Sequence, residues 1–212
     1  MKKILLTALI ASVLIVPLGI GNTALADHEE AAVPIQVQEY LPGRSPAETD
    51  AAEAMLPAIH GLVLALLNHD TNTLDLTDGA LVWEGLYNML SLYGQMDSRA
   101  DSDNGELFLP EETVQDYAAS LDVEIDSLSP MPADLRDRIN YDNVSRCYVI
   151  FRGEDDQAQL QTDSIQAAAD GLVLTGGLVY VVDGQVLTQF RAVLQRQDNM
   201  FGFSIRSLTI TG

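Results

Sequence analysis

The side chains able to do chemistry in this chain are few: three histidines, one cysteine and a large excess of carboxylates. His60 sits between Ile59 and Gly61-Leu62 in an apolar stretch. It, or an aspartate, would be the general base of a hydrolase or isomerase if a cavity opened onto it. Otherwise it is a core histidine. His69 ends the same stretch, where a cation complements a helix dipole. His28 stands in an acidic segment without the spacing of a metal site. There is no G-x-S-x-G, H-E-x-x-H, paired C-x-x-C or P-loop sequence to organise a nucleophile, a zinc ion or a phosphate. Cys147 is the sole cysteine, so no intramolecular disulfide forms, and its place in a strand suits a small buried hydrophobe.

Two constellations point to ligands. The first is acidic. Asp101, Asp103 and Gly105 are followed by Glu112 at the twelfth place from Asp101, which approximates a calcium loop. An EF-hand places glycine sixth and an oxygen ligand fifth, whereas Gly105 is fifth here. The segment therefore reads first as a solvated acidic loop, with calcium as the alternative and the one cofactor the sequence offers. The second is a set of Arg, Tyr and Gln side chains with one parity in the C-terminal strands: Tyr148, Tyr180, Gln189, Arg191 and Arg206, with Arg146 and Arg152 beside them. A guanidinium fork matches carboxylates in two-point geometry, and tyrosine offers a flat face with a polar tip. This set suits a small anionic ligand, a glycan or a protein.

Composition narrows the classes. The chain has 212 residues, with 31 acids and 11 bases, a formal charge of −20. Nucleic-acid binding through a basic footprint is excluded, since phosphates need Lys and Arg. At 47% hydrophobic the chain is no disordered acidic tail. The only lysines are Lys2 and Lys3, every other base being Arg. Lys2-Lys3, the apolar run Ile4–Ile20 and Ala24-Leu25-Ala26 form the charge, core and small-x-small site of a secretory signal. Cleavage before Asp27 would leave 31 acids against nine arginines, a formal −22 and no lysine. The expectation is export by the general secretory route to the periplasm or exterior of a bacterium, with no stable membrane span after cleavage. A lysine-free, Asp-rich chain also suits high salt, where the Debye length falls to about 3 Å at 1 M.

The elements that must position these groups follow from periodicity. Residues 27–47, with Pro34, Pro42 and Pro46, make an extended acidic leader, and 48–212 a single domain. Ser45-Pro46-Ala47-Glu48 is a capping box opening a helix to about Asn68, with Pro57 kinking or dividing it. Asp78 caps a second helix, 79–93, that stops at Gly94. Residues 95–109 form a loop, Pro110 opens a third helix, and Pro132 opens a short fourth ending near Tyr141. From Val144 the pattern alternates in five strands: 145–152, 158–168, 171–182, 185–195 and 200–210. Asp170-Gly171 and Asp183-Gly184 are hairpin turns. The second sets Val181 opposite Val186 and Val179 opposite Thr188, which turns Leu178 outward.

The fold class is therefore α+β. About four N-terminal helices (48–143) precede a five-stranded antiparallel meander (144–212) packed on them by one face. Three functions fit: a non-catalytic binding or accessory module using the outer sheet face; an enzyme using a helix–sheet cavity; or a salt-adapted structural protein of the envelope. Binding fits best, because the histidines offer little for catalysis.

Overall fold

A computed structural model describes residues 46–152 and 157–211, all within one compact unit. The signal and leader segments, the Ser45 cap and the turn at 153–156 lie outside the described residues. The described residues form four α-helices, α1 (Pro46–Ala54), α2 (Leu56–Asn68), α3 (Gly79–Tyr93) and α4 (Glu111–Ser120). They also form eight strands in two antiparallel sheets. Strands β1 (Asp101–Asp103), β2 (Glu106–Pro110), β3 (Ile139–Asp142) and β4 (Cys147–Phe151) pair in the order β1-β2-β4-β3. Strands β5 (Ala158–Ala168), β6 (Gly171–Tyr180), β7 (Val186–Arg196) and β8 (Phe203–Thr211) pair in chain order. The mixed class holds, and the single five-stranded sheet is corrected to four strands plus four.

The helices form where capping and periodicity meet. Proline lacks an N–H and its ring collides with the carbonyl four residues back, so a helix cannot run through Pro57. The chain breaks at Met55, and Pro57 sits in the first turn of α2. Asp78 accepts hydrogen bonds from the Ala80 and Leu81 amides at 3.0 and 3.3 Å, capping α3 as its sequence position implies. Of the four helical regions expected, the one at Pro132 does not form. Residues 133–138 instead make successive turns, bury Leu135, and release Ile139–Asp142 to pair with β4.

The segment 95–109, expected as loop, holds the β1–β2 hairpin. Asn104 and Gly105 occupy positive φ of 50° and 85°, the two-residue turn whose twist matches antiparallel strands. This hairpin presents β2 to β4, which is why β4 leaves the meander: Cys147–Phe151 pairs with Pro110–Glu106 on one side and with Asp142–Ile139 on the other.

In the β5–β8 sheet the strands fall close to their expected limits, but one register is shifted. Leu178 faces Thr188 and Val179 faces Val186, with a bulge between them. The loop closes earlier than Asp183-Gly184 alone implies, because the Tyr180 amide donates to the Gln185 carbonyl and the Gly184 amide to the Tyr180 carbonyl. A one-residue slip exchanges faces. Leu178 is therefore fully buried, and Val181 is 49% exposed. Gly171 is the first residue of β6 rather than a turn residue, and a Cβ there would meet the Leu194 carbonyl oxygen at 1.8 Å. The inner face, with Leu172, Leu174, Phe190, Ile205 and Leu208, packs on Ile59, Leu62, Leu66 and their neighbours in one apolar core. Helices α2 and α3 approach closely because Gly61 faces Gly85: a Cβ on Gly61 would lie 2.5 Å from the Gly85 carbonyl oxygen.

Candidate functional site

The outer face of the β5–β8 sheet is polar, since alternation turns out every side chain that does not join the core. On β8, Leu208 and Ile210 point in, leaving Thr209 and Thr211 outward. On β7, Phe190 and Ala192 point in, leaving Gln189 and Arg191 outward. Pairing brings these into rows. Arg191 lies beside Thr175 on β6 and Thr209 on β8, and Gln189 lies beside Thr211. Thr175 in turn faces Ser164 on β5, and their hydroxyls are 2.8 Å apart. A shallow depression of about 250 Å³ opens among Asp163, Thr175, Gln189, Arg191, Thr209 and Thr211, with backbone at Gly176 for part of its lining.

Asp163 reaches this face because β5 carries a bulge between Thr162 and Ser164. A bulge adds one residue to a strand and re-aims its side chain. The threonines and Gln189 both donate and accept hydrogen bonds, Arg191 only donates, and the Asp163 carboxylate only accepts. No ion pair or side-chain hydrogen bond engages Asp163 or Arg191 among the described residues. Both charges are left for solvent or a ligand.

Of the five residues expected to form one cluster, two do so: Gln189 and Arg191. Tyr180 ends β6 opposite Ala158, half-buried and outside the depression. Arg206 is exposed in a bulge of β8, beside Val193 and Leu194 of β7, and does not line the depression. Tyr148 belongs to the other sheet. It is 9% exposed, its ring lies 4.8 Å from that of Tyr141, and burial pushes its phenol above the ordinary range. The nearby Arg146 guanidinium is held by Glu111 at 2.6 Å. Arg146 and the Tyr141 hydroxyl together hold the Glu111 carboxyl below its usual value. Thr175, Thr209 and Thr211 were not legible by parity: the register set by Asp183-Gly184 puts Thr175 opposite Ala192 on the inner face, and unbroken alternation from Arg206 turns Thr209 and Thr211 inward, whereas bulges in the β6–β7 and β7–β8 pairings bring all three outward beside Gln189 and Arg191. Asp163 was hidden for the same reason, because its position depends on a bulge in β5.

The acidic candidates separate. Asp101 and Asp103 lie exposed on β1, and Glu112 lies in the first turn of α4. Among the described residues, no group of three or more His, Cys, Asp or Glu side chains is arranged to hold a metal ion. His60 is 3% exposed. Its Nδ1 is 2.6 Å from the Tyr93 hydroxyl, and the two rings meet edge to face. It packs in the interior and does not line the depression. His69 caps the end of α2 and pairs with Glu84 at 2.7 Å, with Asn68 donating to the same carboxylate. Cys147 is partly buried with a free thiol.

Among the described residues no helix is long and apolar enough to cross a membrane. The chain matches no known family model, no curated protein and no solved structure.

Proposed function

We propose that the protein is an exported, non-catalytic binding module and that its site is the outer face of the β5–β8 sheet, centred on Arg191. The observation that carries this reading is the contrast between the two faces. The inner face is filled by leucine, isoleucine and phenylalanine side chains against the helices. The outer face gathers Arg191, Gln189, three threonines and Asp163 around a shared depression. The described part of the interior is filled by apolar side chains, whereas a face of donors and acceptors around the unpaired Arg191 guanidinium suits a small polar molecule bearing a carboxylate.

A thermal-shift titration with a panel of small carboxylates, comparing Arg191→Ala with Arg206→Ala, tests the site. The shift should vanish in the first variant and persist in the second, because only Arg191 lines the depression. Equal binding by wild type and Arg191→Ala would contradict the assignment. Export rests on the sequence of residues 1–26. N-terminal sequencing of the protein recovered outside the cytoplasm should begin at Asp27, and recovery of an uncleaved chain would contradict cleavage.

A further inference from the structure

We infer that the depression takes a compact zwitterion, a free α-amino acid, with its carboxylate on Arg191 and its ammonium on Asp163; this rests on the binding face proposed above. The depression holds one cation and one anion, on β7 and β5. Between them stands β6, where Thr175 pairs with Ser164 on one side and Arg191 on the other. At ordinary strand spacing the two charged residues stand about 10 Å apart at the backbone. Both residues line the depression, on strands to either side of Thr175. They do not meet in an ion pair, and no other described side chain neutralises either one.

This arrangement selects against singly charged ligands. A ligand with only a carboxylate meets the like charge of Asp163 in the same depression, and one with only an ammonium meets Arg191. A molecule carrying both, joined through one or two carbons, satisfies each charge with its opposite. Charge-assisted bonds of this kind are the stronger ones. The hydroxyls of Thr209 and Thr211 and the Gln189 amide remain for polar atoms of the ligand's own side chain, since each donates and accepts. The C-terminal third of the sequence favours neither sign strongly: residues 144–212 carry seven acids and five arginines. The local pair, rather than a long-range field, therefore sets the preference.

The experiment is an NMR titration of isotope-labelled protein at about 0.1 M salt, where the Debye length of about 10 Å leaves short-range pairs effective. The probes are the common free amino acids. For the strongest binder, the N-acetyl derivative lacks the ammonium and the carboxamide lacks the carboxylate. Saturable shifts are expected at Thr175, Arg191 and Thr209, with each derivative binding roughly tenfold more weakly, about 1.4 kcal/mol. Asp163→Asn should erase the difference between the free and N-acetylated forms, and Arg191→Gln that between the free form and the carboxamide. N-acetylated forms binding as tightly as their parents would overturn the zwitterion while leaving a carboxylate site at Arg191. Binding by none of these probes, derivatives included, would overturn both the zwitterion and the carboxylate face.

Discussion

Arg191 and Arg146 show how far a single side chain's role depends on its neighbours. Both have outward parity in the sequence, yet Arg146 is taken up by Glu111 and Arg191 is not. Alternation reveals which way a strand residue points, but it does not reveal a carboxylate brought in from a helix 35 positions away in the chain. Asp97, by contrast, is paired by a near neighbour in the chain. Arg99 donates to it from two nitrogens, at 2.9 and 2.7 Å, and holds its carboxyl below the ordinary 3.8. A carboxylate with a depressed folded pKa adds stability that is complete above its unfolded value and is lost as pH falls through the folded one. Arg99→Gln should therefore lower the melting temperature by a constant amount at neutral pH. The gap to wild type should begin to narrow as pH falls below about 4 and disappear only below the lowered folded pKa of Asp97, where its carboxyl is protonated in both proteins. Melting curves across that range check it, and a gap that widened on acidification would contradict the pairing.

At the scale of elements, the helices with a cap or a proline were readable: Asp78 and Pro57 each act where the sequence places them. The β1–β2 hairpin was equally encoded, in Asn104-Gly105, but the surrounding Asp and Ser residues resemble a solvated loop. The shift in the β6–β7 register was hidden because a bulge, unlike a turn dipeptide, has no fixed residue signature. Helix packing was hidden too, since nothing in the sequence says that Gly61 and Gly85 meet. Gly61→Ala raises helix propensity yet forces its Cβ onto the Gly85 carbonyl. Chemical denaturation should show a net loss of roughly 1–3 kcal/mol, as overpacking outweighs propensity. Asp78→Ala should lose about 1 kcal/mol by removing a cap. A more stable Gly61→Ala protein would show that the two helices can part without loss.

For the whole molecule, charge divides along the chain. Residues 27–143 carry 24 acids and four arginines, a formal −20, whereas residues 144–212 carry seven acids and five arginines, a formal −2. Self-repulsion is therefore concentrated in the part that supplies the helices and strands β1–β3, and salt relieves it by screening. The melting temperature should rise by several degrees between about 0.05 M and 2 M NaCl, and a flat or falling trend would contradict adaptation to salt. On the function proposed above, ligand recognition falls to the near-neutral β5–β8 sheet. The most direct measurement is the map of amide shifts produced when wild-type protein is saturated with the tightest-binding small carboxylate or amino acid. The largest shifts should cluster at Thr175, Gln189, Arg191, Thr209 and Thr211. Shifts centred instead on His60 and Tyr93, in the packed interior, would contradict a site on the outer face.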